Sequence, residues 1–294
     1  MLNNSLKQYY QLTKPGVVAL IVFTAIVGML LSTPGWVAWQ PAIFGSIGIW
    51  LAAASAAALN HLIDRHADAE MARTKDRPLP QGQLSTRAVF IFALTLAVLS
   101  MLTLIIWVNV LTALLTFASM IGYAVIYTLY LKRATPQNIV IGGAAGAMPP
   151  ILGWVAITNE IHPHSLLLFL IIFIWTPPHF WALAVNKREE YARVNIPMLP
   201  VTHGADFTRL HITLYTILLV LVTLLPYVVG MTGLIYLAGV SLLNARFLYM
   251  VFKLQKTKDD RLAMQTFVFS ITYLMLLFAF LLIDHYFPYS LGFV

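Results

Sequence analysis

Long apolar stretches alternate with short polar breaks along the whole chain. The apolar runs fall at roughly 15–33, 41–59, 88–107, 109–130, 138–158, 165–186, 210–230, 233–253 and 264–287. An α-helix needs about 20 apolar residues to cross a bilayer's hydrocarbon core, and each run is close to that length. The breaks are Ser32-Thr33-Pro34-Gly35, the stretch 60–87, Lys132 to Gln137, Thr158 to His164, Lys187 to Arg209, Gly230 to Gly233 and Lys256 to Arg261. The third and fourth runs part only at Val108 and Asn109, the least marked boundary of the set. Backbone facing lipid must satisfy its hydrogen bonds within a helix or a closed barrel, and these runs are too long and continuous for barrel strands. The pattern predicts an all-α polytopic membrane protein with about nine transmembrane helices, forming a single membrane domain over 1–294.

The basic residues orient that array. With nine spans starting inside, one face collects Lys7 and Lys14, then Arg65, Arg73, Lys75, Arg77 and Arg87, then Lys132 and Arg133. The same face takes Lys187, Arg188, Arg193, Arg209, Lys253, Lys256, Lys258 and Arg261, with Arg246 in the cytoplasmic half of the eighth span. All 18 Lys and Arg residues therefore fall on one side. Basic residues mark cytoplasmic loops, so the N-terminus is expected inside and the C-terminus outside.

Composition agrees. Of 294 residues, 60% are hydrophobic and only 10% charged, with a mean hydropathy of +0.82. That is too little charge to wet a globular surface. The net charge of +7 could suggest nucleic acid, but the loop asymmetry accounts for it without a nucleic-acid partner. With no cysteine, disulfides, thiolate metal sites, iron–sulfur ligation and a cysteine nucleophile are all excluded. The first 14 residues carry Lys7 and Lys14 and no small-residue cleavage site, so no removable signal peptide is expected. Leu6, Tyr9, Tyr10 and Leu12 could instead form a short helix along the membrane surface.

Small residues cluster in two spans. The second carries Ala52 to Ala58 interrupted by Ser55, and the fifth reads Ile141-Gly142-Gly143-Ala144-Ala145-Gly146-Ala147. Gly142/Gly146 is a small-xxx-small pair of the kind that lets helices approach closely in lipid. A nucleotide-binding glycine loop would need a preceding strand and Gly-x-Gly spacing, and has neither.

The candidate chemistry begins at Asn60-His61-Leu62-Ile63-Asp64-Arg65-His66-Ala67-Asp68. Asn60, Asp64 and Asp68 recur every four residues, which on a helix turns only about 40° per step, so three oxygen-bearing side chains share one face. Such a set suits Mg²⁺. Arg73, Lys75 and Arg77 follow, placed to hold phosphate oxygens. A solvated helix end with incidental charges is the bland alternative. Acidic groups at the end of a membrane helix are costly, which favours a functional reading.

With Met71-x-Arg73-Thr74-x-x-Arg77-Pro78, this segment resembles the first aspartate-rich motif of the UbiA-type intramembrane prenyltransferases. Further motifs follow in order: Leu12-Thr13-Lys14-Pro15-Gly16, Tyr127-x-x-Tyr130-x-Lys132-Arg133-x-Thr135 and Gly146-Ala147-x-Pro149-Pro150-x-x-Gly153. Pro178-His179-Phe180-Trp181-x-Leu183-Ala184 and Tyr191-x-x-x-Asn195-Ile196-Pro197-Met198-Leu199-Pro200 complete the set. Together they are similar to the haem-directed branch of that family from about residue 10 to 210; the last three spans add only hydropathy.

The resemblance implies a UbiA-type bundle in a bacterial inner membrane, with cytoplasmic catalytic loops near 60–87 and 187–209. It implies Mg²⁺-dependent transfer of the farnesyl group of farnesyl diphosphate to a vinyl group of haem b, giving haem O and pyrophosphate. Asn60, Asp64 and Asp68 would hold the metal and, with His179, form the catalytic set. Lys14, Arg73, Arg77, Tyr127, Lys132, Arg133, Lys187, Arg188, Glu190 and Tyr191 would bind the substrates. Membrane lipid would surround the protein, and a haem A synthase or a terminal oxidase would receive the product.

One departure matters. Quinone-type members carry a second Asp-x-x-x-Asp after the sixth span, where this chain reads Asn186-Lys187-Arg188-Glu189-Glu190-Tyr191. The resemblance implies one acidic residue just before the tyrosine, here Glu190, which leaves the number of Mg²⁺ ions open. His179 could be a structural histidine bonded to a carbonyl; the resemblance implies porphyrin contact or proton transfer. His61 and His66 are five apart and off one helical face, His162 and His164 sit in an outer loop, and His203, His211 and His285 are isolated. Two alternatives remain at this level. A quinone- or chlorophyll-type prenyltransferase would share the diphosphate site, and a secondary transporter would share the helix count but use midplane charges.

Overall fold

The computed structural model describes residues 2–288, and among these every regular element is helical. Helix α1, Leu2–Leu12, meets α2, Pro15–Leu30, at a bend of 49°. The sequence sets that bend. Pro15 disfavours helical backbone at the residue before it, and Lys14 turns left-handed with φ 48°. A short helix is present where one was expected: Leu12 is buried, Tyr9 packs on Phe92 at 4.9 Å, and Leu6 and Tyr10 are exposed.

Helix α3, Trp39–Glu70, is followed by α4, Thr86–Trp107, and α5, Val110–Ala134. The faint boundary at Val108 and Asn109 is a true break, because the Asn109 side chain accepts from the Thr112 N–H at 2.8 Å and caps α5. Then come α6, Asn138–Thr158, α7, Pro163–Asn186, and two short helices, α8, Arg188–Arg193, and α9, Leu199–Thr202. The chain closes with α10, Ala205–Val228, α11, Leu234–Thr257, and α12, Asp260–Tyr286. Among the described residues, eight helices are long and apolar enough to cross a membrane alone, and the bent α1–α2 pair makes up to nine. The protein is thus a multi-pass helical bundle, as the hydropathy predicts.

Polar side chains and missing side chains tie the bundle together. Ser55 and Ser100 donate to the carbonyls of Ala93 and Gly48, at 2.8 and 2.7 Å, across the α3–α4 seam. Between α2 and α6 the backbones touch: a Cβ at Gly28 would collide with the Pro150 carbonyl, and one at Gly153 with that of Ala25. At the start of α11, Asp284 accepts the N–H groups of Gly233 at 2.5 Å and Tyr236 at 3.1 Å, capping α11 from a neighbouring helix.

Two expectations need correction. Gly142/Gly146 is not a joint packing pair: Gly142 abuts Tyr127, but a Cβ at Gly146 would meet nothing within 4 Å. The stretch 60–87 is not a loop throughout, because α3 stays helical to Glu70. Arg246 lies just past the midpoint of α11, in the half nearer Thr257 where it was expected, with its guanidinium 5.1 Å from the Phe269 ring. The expected external C-terminus falls partly on 289–294, outside the described residues.

Candidate active site

At about 1.5 Å per residue, the 32 residues of α3 span well over the roughly 30 Å of hydrocarbon. Its last turns therefore stand beyond the apolar layer, and they carry Asn60, Asp64 and Asp68. All three are buried, at 5%, 2% and 5% exposure. Buried carboxylates require partners, and the chain supplies them from separate elements. Lys132, at the end of α5, places Nζ 2.5 Å from Asp64 Oδ2. Arg77 reaches Asp68 Oδ2 at 2.6 Å, and Thr74 donates to the Asp68 carbonyl at 3.0 Å. Lys14, in the bend before α2, donates to Asn60 Oδ1. Asn60 donates in turn to Asp64 Oδ2 at 2.9 Å. The solvated-end alternative is removed by this burial.

Two local distortions build the cluster. A left-handed lysine is uncommon, and such outliers concentrate where a side chain must be aimed; Lys14 is one, and its ammonium meets the motif. The second is in α5, where Gly122–Leu131 winds as a π-helix. There Thr128 donates to the Tyr123 carbonyl, five residues back, at 2.8 Å, and receives the Asn60 amide at 3.4 Å. The wider winding stacks Tyr123 on Tyr127, centroids 5.6 Å apart, and delivers Lys132 to Asp64. π-Helical segments often mark functional sites.

The second loop joins the same place. Tyr191 is buried, and its phenol feels the charges of Arg73, Glu190, Asp64 and Arg77. Burial is the main cause pushing that phenol above its ordinary range. Lys187 pairs with Glu190 at 3.0 Å. Lys14 is pulled down to about 7, first by burial and then by Arg77 and Lys132. An anion bound among these cations would keep its proton on.

Two carboxylate oxygens in the cluster are buried without a hydrogen-bond partner, Asp64 Oδ1 and Glu190 Oε2. Orphaned acceptors of this kind call for an occupant, so the donor set fits a hard cation. Among the described residues no three His, Cys, Asp or Glu side chains gather as a metal cluster. The candidate set is two carboxylates and an amide, with substrate oxygens to complete it.

Not every candidate joins the cluster. Arg133 is exposed on the surface beside Lys132. Arg73 is exposed at the rim, close enough for Tyr191 to feel its charge. Arg188 turns away to Asp260 at 2.5 Å, and that carboxylate also holds Arg209 at 3.0 Å, tying α8 to the starts of α10 and α12. Tyr127 is half-buried against Gly142. His179 lies deeper, within α7, stacked between Trp175 and Phe267.

Sequence reasoning passed over Thr128 and His61. His61 is 3% exposed, and neither ring nitrogen has a partner. Its spacing to Asp68 held the signal: seven residues is two turns less about 20°, so the two share a face.

The UbiA prenyltransferase family profile matches residues 21–288. A protoheme IX farnesyltransferase of Methylococcus capsulatus is 61% identical over 282 residues, covering 96% of this chain and 95% of that protein. Protoheme IX farnesyltransferase 2 of Pseudoalteromonas atlantica is 57% identical over 284 residues, covering 97% and 93%. Among solved structures, a digeranylgeranylglyceryl phosphate synthase superposes with a TM-score of 0.80 at 18% identity, covering 96% of this chain and 99% of that one. A UbiA homologue from Archaeoglobus fulgidus, bound to DMAPP and Mg²⁺, gives 0.66 at 18% identity, covering 93% and 99%. Fold, motif order and near-full-length identity converge: the chain belongs to the UbiA prenyltransferase family.

Proposed function

We propose that this protein transfers the farnesyl group of farnesyl diphosphate to a vinyl group of haem b, yielding haem O and pyrophosphate. The observation that carries the reading is the buried cluster of Asn60, Asp64 and Asp68 ringed by Lys14, Arg77 and Lys132, an anion-binding cradle at the end of an apolar helix. The haem acceptor is supported by the relatives at 57–61% identity. Those relatives favour haem over a quinone or chlorophyll ring, and membership of a prenyltransferase family displaces the transporter reading.

Asn60, Asp64 and Asp68 would hold Mg²⁺, which when bound supplies positive charge to a diphosphate leaving group. The protein's own residues do the rest. Lys14, Lys132 and Arg77 neutralise the outer diphosphate oxygens, and Arg73 meets them from the rim. The C1–O bond breaks and its electron pair leaves with pyrophosphate. The vinyl carbon bonds to C1, water adds to the cation that results, and a proton is released. Tyr123 and Tyr127 present aromatic faces beside the cradle, where positive charge develops on the allylic carbons. The apolar interior keeps bulk water from that cation.

The cytoplasm would supply diphosphate to this face, in keeping with the clustered basic residues. The N-terminus would be cytoplasmic and the C-terminus external. The product would pass to a haem A synthase or a terminal oxidase. Haems extracted from membranes expressing the chain, analysed by mass spectrometry, should contain a hydroxyethylfarnesyl haem that is absent without it. Unchanged haem b alone would contradict the reading.

A further inference from the structure

His179 stands on the face of α7 that turns toward its neighbours in a four-helix ring. Helix α7 packs on both α6 and α12, and α2 packs on both as well, closing a ring. Successive residues on α7 are about 100° apart, which fixes where each points. Trp175 faces α12, its indole N–H donating to the Ser270 carbonyl at 2.8 Å. Thr176 faces α6, where it is the nearest neighbour of Gly143. His179 follows Trp175 by about 40° and precedes the Thr176 direction by about 60°, so it points between α6 and α12 into the ring. The outer half of that ring is filled where α2 and α6 touch at Gly28 and Gly153. In the inner half, Gly146 borders open space.

The ring of His179 is also fixed in rotation and in tautomer. It stacks on Trp175 at 4.1 Å and 17°, and on Phe267 at 4.6 Å and 26°. Nδ1 lies 2.6 Å from Ser270 Oγ. Ser270 donates its single hydroxyl proton to the Phe267 carbonyl at 2.6 Å. Its oxygen must then accept from Nδ1–H, an assignment that follows from the hydrogen-bond network. Nε2 is left unprotonated, with its lone pair in the plane of a clamped, half-buried ring.

We infer that Nε2 of His179 is an axial ligand to the iron of the haem acceptor. The inference rests on haem b being that acceptor. Neutral imidazole is a good iron ligand, and a second nitrogen donating to a neighbouring oxygen is the usual device that orients it and raises its basicity. Because the aromatic sandwich prevents rotation, ligation sets the tilt of the porphyrin. A porphyrin held by its iron between α6 and α12 would present an edge toward the diphosphate end, where a vinyl carbon can approach C1.

The test is a titration of the purified full-length protein in lipid nanodiscs with ferric haem b and, separately, with metal-free protoporphyrin IX. Wild type should give the Soret band and electron paramagnetic resonance of imidazole-ligated haem. It should also bind haem at least tenfold more tightly than the metal-free ring. His179→Ala should lose the imidazole signature and that preference, regain the signature with added imidazole, and bind protoporphyrin IX as wild type does. Wild-type binding of protoporphyrin IX by the variant is also the control that it is folded. An unchanged haem spectrum in His179→Ala would overturn the ligation, as would a variant that loses turnover while keeping the spectrum. Farnesylation of haem b by wild type is measured alongside. If wild type farnesylates haem b but the spectrum is indifferent to residue 179, only the ligation falls. If wild type neither binds nor farnesylates haem b, the acceptor assignment falls and the ligation with it.

Discussion

Asp64 has two oxygens in different situations. Oδ2 takes Lys132 and Asn60, while Oδ1 is buried with no partner. An amide at this position would keep the shape and remove the charge that a cation needs. Asp64→Asn and Asp68→Asn should each lower turnover by about 10²–10³-fold, the cost of losing one preorganised charge-stabilising group, with the protein still inserted and monodisperse. Turnover should vanish with a chelator and return with Mg²⁺. Full activity in a well-folded Asp64→Asn protein would remove this cluster from the mechanism. The carboxylate face was legible because helical spacing is arithmetic on the sequence. Its partners were legible only as residue types: nothing in the spacing tells that Lys132, 68 positions away, reaches Asp64, or that Arg188 spends its charge on Asp260 instead.

The elements divide in the same way. Hydropathy marks the spans and caps mark their edges, as Asn109 does for α5. The π-helical winding of Gly122–Leu131 was hidden, because apolar periodicity is uninformative in a helix that faces lipid and protein at once. Glycine contacts were half legible. Small residues announce close helix packing, but which neighbour they meet depends on the assembled ring. This gives a paired prediction. Gly153→Leu should drive side-chain atoms into the Ala25 backbone and destabilise the fold by about 1–3 kcal/mol or more, seen as a lower Tm and loss of monodisperse protein. Gly146→Ala, with nothing within 4 Å of the new carbon, should leave the Tm within a degree or two by the same logic. Equal Tm losses in both would contradict the described α2–α6 seam and the open space beside Gly146.

At the scale of the whole molecule, the basic residues collect toward one side, the distribution expected of a cytoplasmic face. Reporter fusions near residue 80 should read as cytoplasmic, and insertions within 158–164 as external. A cytoplasmic reporter at the C-terminus would contradict the orientation. That asymmetry was fully legible in the sequence, because it is a property of composition by segment. The four-helix ring was not, since it exists only where α2, α6, α7 and α12 pack on one another.

The central claim is that this fold joins a farnesyl diphosphate site at the membrane face to a haem acceptor. Its most direct test offers the purified protein Mg²⁺, farnesyl diphosphate and both haem b and 4-hydroxybenzoate in one reaction, read by mass spectrometry. The account predicts conversion of haem b to its hydroxyethylfarnesyl product while 4-hydroxybenzoate stays unmodified. Prenylated 4-hydroxybenzoate beside unchanged haem b would contradict it.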